Sequence, residues 1–256
     1  MSKSDFVIQN NYLIDYTGKD EFVEIPSDVT AIYQCAFTGN QNIKSVVVPD
    51  SVLEIGKAAF AKCNNLKSIE LPDSLTNIES NLFSYCKSLE KIRIPKGIEV
   101  IGRFAFLDCK SLTDVEFSGN VSHIRSRAFQ GCVSLKKISL PESLKQIDWR
   151  AFSYCTNLQE VSVLGNEVVV GCELFYKASS EIYINYNGDS DNFKNMIISK
   201  ERKTPAWEIS TDYDSFHSPV LCEKDNFFYG SAKDFCIAVN CQKDGKCLTF
   251  LNTDSN

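Results

Sequence analysis

The chain has 256 residues, with 27 Lys and Arg against 33 Asp and Glu and a formal net charge of −6. Neither the first 187 residues nor the remaining 69 carry the basic excess of a phosphate-tracking surface, so nucleic acid is not an expected partner. No stretch approaches the roughly 18 apolar residues of a membrane-spanning helix. Met1 to Asn10 also lack a secretory-type apolar run, which points to the cytoplasm, with the cell surface or secretion as the alternative.

In chain order, the first regular signal is a phenylalanine column. Phe37, Phe60, Phe83, Phe106, Phe129, Phe152 and Phe175 stand 23 residues apart without insertion or deletion. Five residues before each Phe comes an apolar residue (Ile32, Ile55, Ile78 and so on to Val170), and further apolar columns follow six, nine and eleven residues after it. A fixed period of this size marks a solenoid, in which no unit can bury its apolar face alone and each stacks on its neighbours.

One unit shows how the physics works. Leu66-Lys-Ser-Ile-Glu-Leu-Pro72 alternates apolar and polar residues near its end, which predicts a short half-buried strand. Pro72 closes it, because proline brings no N–H to a strand ladder. Ser74 to Ser80 return across the back, and an Ala-Phe pair such as Ala59-Phe60 then turns inward. Seven such turns at a strand spacing of ~4.8 Å make a rod or arc roughly 30 Å long.

The unit Leu-x-x-Ile-x-Leu-Pro-x-Ser-Leu-x-x-Ile-x-x-x-x-Phe-x-x-Cys resembles the BspA-like class of leucine-rich repeats, and Leu66–Cys86 and Leu135–Cys155 match it position for position. Leu13 to Gly18, leading into Val23-Glu-Ile-Pro26, is similar to that family's opening turn. The resemblance covers about residues 12–187. It implies a β-rich repeat solenoid, a right-handed leucine-rich-repeat horseshoe with its strands on the concave side, and no catalytic residues. Residues 1–187 are therefore expected to form the solenoid of about seven 23-residue turns, and residues 188–256 a C-terminal cap or small accessory module. Two departures stand out. Residues 115–121 lack the proline, which suggests a looser strand exit, and Ala178 and Glu181 break the Cys and Leu columns, as expected of a terminal repeat.

Cysteines number 11, and Cys63, Cys86, Cys109, Cys132 and Cys155 recur once per turn. Their spacing makes them a repeat column of small buried thiols rather than a disulfide framework, since five parallel side chains in a row cannot all pair. His217, Cys222, Cys236, Cys241 and Cys247 form a looser set, open to three readings: a zinc site, a disulfide such as Cys241 with Cys247, or unpaired thiols. Phe235–Val239 and Cys247–Leu251 flank an Asp-Gly turn signal and read as a hairpin. Trp207, Tyr213, Phe216, Phe227, Phe228 and Tyr229 are too many aromatics for a solvated linker.

Phosphate-loop, dinucleotide and zinc-protease motifs are absent, and the two histidines, His123 and His217, lie far apart in the sequence. No enzyme activity, cofactor or metal is expected. The surface that remains is the outward side of the strands, eight and ten residues after each Phe. There, Ser68, Glu70, Lys91, Arg93, Asp114, Glu116, Lys137 and Glu160 form a strip of mixed charge that would suit a protein partner. The competing expectation is a cross-strand salt ladder running Glu70–Arg93–Glu116. Arg125 and Arg127 lie on the back of a coil, where charge reversal is expected to leave partner capture intact.

Overall fold

The computed structural model describes residues 5–171, 173–179, 181–187, 236–241 and 247–249, and all regular structure among them is β-strand. The fold is a β-solenoid of about seven 23-residue turns. Each turn has a front strand, a back strand and a corner made of left-handed residues.

The front strands are Phe22–Glu24, Ser45–Val47, Ser68–Glu70, Lys91–Ile94, Asp114–Phe117, Lys137–Leu140, Glu160–Val163 and Glu181–Tyr186. They stack in parallel with residue i opposite i+23, as in Ser45↔Ser68, Arg93↔Glu116 and Lys137↔Glu160. The alternation works as the pattern dictates: in Ser68-Ile69-Glu70 only Ile69 is buried. Two-residue back strands stack likewise, from Ala31–Ile32 and Glu54–Ile55 through to Val169–Val170. Cys236–Cys241 adds in parallel beyond Glu181–Tyr186 and pairs antiparallel with Cys247–Thr249, the hairpin that the Asp-Gly signal indicated. The rest of residues 188–256, including His217, Cys222 and the aromatic cluster, lies outside the described residues.

Proline does more than end the front strand. The Pro26, Pro49, Pro72, Pro95 and Pro141 carbonyls each accept the N–H three residues on, at 3.0–3.4 Å, and so close the turn to the back. Where Ser118 stands in place of the proline, the turn is held instead by the Val121 N–H on the Gly119 carbonyl (3.1 Å) and the Ser118 N–H on the Ile94 carbonyl (3.0 Å). Its strand, Asp114–Phe117, keeps full register with Lys91–Ile94, so this exit differs in its turn while its strand pairing is intact.

The core is a stack of rings. From Phe37 to Phe175 consecutive centroids are 4.7–6.0 Å apart, with planes within 22°. Parallel offset stacking is a favourable arrangement of ring quadrupoles. The stack does not begin at Phe37. Tyr16 lies 5.1 Å from it and Phe6 4.9 Å from Tyr16, so two residues outside the 23-residue phase cap the column. Phe6 and Tyr16 are brought together by an antiparallel pair, Phe6–Gln9 with Tyr12–Tyr16. Asn10 and Asn11 link the two strands at φ 50° and 66°, the doubly left-handed turn that suits the twist of a hairpin.

The corner before and after each Phe carries two left-handed residues per coil, four apart, such as Ala58 and Lys62, Asn81 and Tyr85, or Arg127 and Gly131. Left-handed backbone costs a non-glycine residue roughly 1–2 kcal/mol. Here the alternation lets every N–H find an acceptor. Ala58, Phe60 and Lys62 donate to Ser80, Leu82 and Ser84 of the next coil, while Ala59, Ala61 and Cys63 donate three residues back in their own. The intercoil ladder thus continues around the corner, and the bonds of a buried backbone offset the strain.

Candidate protein-interaction surface

The front sheet places all eight residues of the charged strip on one exposed face, in rows set by the strand register. Asp114 stands opposite Lys91 and Glu116 opposite Arg93. The expected salt ladder does not form. Arg93 turns out of its row and donates from Nη2 to Asp73 Oδ1 at 3.1 Å, with Lys96 Nζ 3.5 Å from Asp73 Oδ2. Asp73 follows the strand-closing proline of the preceding coil, so the arginine reaches a corner carboxylate instead of a strand neighbour. Desolvation opposes ionisation of Asp73. The Lys96 N–H together with the Arg93 and Lys96 charges still holds its carboxyl below the usual carboxylate range. Among the described residues, Glu70, Lys91, Asp114, Glu116 and Lys137 have no ion-pair partner. Glu160 accepts from Asn185 Nδ2 at 3.2 Å, and Ser68 donates to Ser45 Oγ at 3.1 Å.

Arg125 and Arg127, on the back, are both engaged with neighbouring coils. Arg125 Nη1 lies 3.7 Å from the buried Asp148 carboxylate, whose acidity burial weakens against the pull of Gln146, Arg125, His123 and Arg103. Arg127 lies over the Trp149 ring at 4.2 Å and within 5.5 Å of Phe104. Arg150 continues the pile, 4.5 Å from Trp149 and 4.4 Å from Tyr176, and its Nε donates to Glu173 Oε2 at 2.6 Å. Phe104, Arg127, Arg150 and Glu173 are all left-handed corner residues two before the Phe column. Their side chains therefore project in one direction and pile up along the flank, a cation–π and ion-pair ladder that holds the later coils together.

The thiol column also does more than fill space. Cys63, Cys86, Cys109, Cys132 and Cys155 each donate S–H to the carbonyl of the Phe 26 residues back, at 3.1–3.3 Å. The Phe60 carbonyl accepts both the Cys63 N–H and the Cys86 thiol, so its two lone pairs are used inside the core. Burial pushes Cys63 and Cys155 up to about 12 and raises Cys86, Cys109 and Cys132 as well. All five are free thiols, and Cys35 is an exposed one. In the first coil Asn40 takes the Cys position, its Oδ1 accepting the Asn42 and Ile43 N–H groups at 2.9 and 3.2 Å. Among the described residues no group of three or more His, Cys, Asp or Glu side chains could hold a metal ion. Nor is any helix there long and apolar enough to cross a membrane.

Stacked 23-residue coils with a ring column, a thiol column and an exposed parallel sheet define a leucine-rich-repeat scaffold. Residues 8–107 and 76–204 match the BspA type leucine-rich repeat region, in six copies, and the chain belongs to that family. It is similar to the T. pallidum leucine-rich repeat protein TpLRR, with 33% identity and a TM-score of 0.65 over 69% of this chain and 88% of that one. A leucine rich cell surface protein from Faecalibacterium prausnitzii A2-165 shares the fold at 21% identity and a TM-score of 0.57, over 75% of this chain and 73% of the other. No curated protein matches significantly.

Proposed function

We propose that the chain is a non-catalytic protein-interaction module whose front sheet contacts a protein partner through Ser68, Glu70, Lys91, Arg93, Asp114, Glu116, Lys137 and Glu160. One observation carries the reading: most charges of this strip face solvent in straight rows without ion-pair partners on the neighbouring strands. A side chain already locked in a ladder would have to break its bond to bind, whereas these are free to be matched by a partner of complementary charge. The rigid sheet beneath fixes their spacing, which limits the ordering cost of binding. We assign residues 188–256 to a cap or accessory module, whose strands Cys236–Cys241 and Cys247–Thr249 extend the sheet past Glu181–Tyr186.

The test is charge reversal of Lys91 and Lys137 to Glu, both exposed and unpaired, followed by capture of partners from a native lysate. Lys110 and Lys145, exposed elsewhere, are the matched control and replace Arg125 and Arg127, whose reversal would disrupt the flank ladder. The front variant should lose its partners while the control keeps them. Retention of the same partners by both would remove the strip from the interface. A second reading, an adhesin on the cell surface, uses the same sheet in another place. Protease shaving of intact cells separates the two, since only a displayed protein is cut.

A further inference from the structure

The back sheet holds a groove, on the opposite side of the core from the front strip. Tyr12, Ala31 and Glu54 stand abreast on three neighbouring strands, Tyr12 pairing with Ala31 and Ala31 with Glu54. Two residues beyond Ala31 and one coil later the order recurs, as Tyr33, Gly56 and Glu79. In each row a small residue separates a tyrosine from a glutamate. The outcome is a groove of about 380 Å³, lined by both tyrosines and both glutamates over Ile32, Ile55 and Gly56. The tyrosines are 43% and 50% exposed. Gly56 is required there, because a Cβ would stand 2.5 Å from the Gln34 nitrogen, so the floor is bare backbone. Among the described residues neither Glu54 nor Glu79 has an ion-pair partner, and Lys57 sits at the rim as the one competing cation of the lining.

We propose that this groove binds an arginine side chain on an extended segment of a protein partner. Tyrosine faces attract a cation through the ring quadrupole, and a planar guanidinium stacks on them better than an ammonium does. Two strand spacings put a tyrosine and the glutamate of its row ~10 Å apart, room for a guanidinium between ring and carboxylate. The volume is near the lower end of small-ligand pockets, which run roughly 300–1,000 Å³, and matches one long side chain with its flanking backbone. Leu53, adjacent to Glu54 and 61% exposed, offers an apolar shoulder for the neighbouring residue of such a segment, which a free small cation would leave uncovered. The site lies on another sheet from the front strip, so it stands or falls independently of it.

Isotope-labelled full-length protein titrated with the peptide acetyl-Arg-Leu-amide tests this by NMR. Its citrulline counterpart, equal in shape but neutral, and tetramethylammonium are run beside it. Arginine peptide should shift the Gly56 amide and the Tyr12 and Tyr33 ring signals saturably, and the citrulline peptide should bind at least about tenfold more weakly. Glu54→Gln with Glu79→Gln should weaken the arginine peptide about tenfold with an unchanged circular dichroism spectrum, whereas Lys57→Gln should tighten it a few-fold. No saturable shift, equal binding of citrulline, or indifference to both Gln substitutions overturns the site. Binding of tetramethylammonium as tightly as the arginine peptide overturns the assigned partner and makes the groove a small-cation site.

Discussion

Phe106→Ala tests the ring column at its centre. Phe106 is fully buried, with Phe83 at 5.4 Å on one side and Phe129 at 5.1 Å on the other. Truncation removes six ring carbons from a site whose walls are neighbouring coils. Those coils are tied by backbone ladders on every side and cannot collapse inward. Core Phe→Ala changes cost about 3–5 kcal/mol, and a cavity that stays open places this one at the upper end. Of that, the two stacking contacts account for roughly 1–3 kcal/mol. Phe106→Leu refills most of the volume and should cost only about 1–2 kcal/mol. Urea melts followed by circular dichroism measure all of these, with Leu164→Ala as an exposed control expected to stay within about 0.5 kcal/mol. Phe37→Ala should lose as much as Phe106→Ala, since Tyr16 and Phe60 sandwich Phe37 at 5.1 and 4.7 Å. A Phe106→Ala midpoint no lower than that of Leu164→Ala would refute the stacked-ring account. A small loss at Phe37 alone would show that the column ends there.

The thiols predict an alkaline limit. Their folded pKa values are raised, so the neutral column stabilises the fold fully below the unfolded thiol pKa, and this stability is lost as pH rises from about 8.5 towards 12. Cys63 and Cys155 set that window and the other three buried thiols shift in the same direction, so the urea midpoint should fall steadily across it, and midpoints unchanged between about pH 8 and 10.5 would contradict it. Below that window a thiol reagent should label Cys35 quickly and the column cysteines only on unfolding. On the flank, Arg150→Ala strands the buried Glu173 carboxylate and should cost about 3 kcal/mol, read from the same melts. Arg150→Met with Glu173→Leu should recover most of it.

Much of this architecture is legible in the residues themselves. Stacking converts a sequence period into a translation, so residues 23 apart become neighbours and each column's polarity reads out its burial. That is why the Phe, Leu and Ile columns, the half-buried front strands and the exposure of Lys91 or Glu116 follow from spacing alone. The six-copy family match rests on the same phase. The terminal hairpin was visible too, from one Asp-Gly turn between two apolar runs.

What lies outside the phase, or depends on a rotamer, only the tertiary structure decided. Phe6 and Tyr16 cap the ring column because a hairpin brings them there, and nothing in a 23-residue period marks them. A cysteine repeated in five successive coils looks like a filler, and only the fold shows that its S–H points at the preceding coil's Phe carbonyl. Arg93 and Glu116 are aligned by register, yet a long side chain samples a sphere of partners, and Asp73 at the corner won. The left-handed corners are hidden because twelve of the coil-corner residues at positive φ are not glycine, and ladder bonds to the next coil hold them there. Glycine at 56 signals close backbone approach, but a groove between Tyr33 and Glu79 exists only when three coils are laid side by side. Periodicity determines which residues meet, and the geometry of the meeting belongs to side chains that the repeat leaves free to vary.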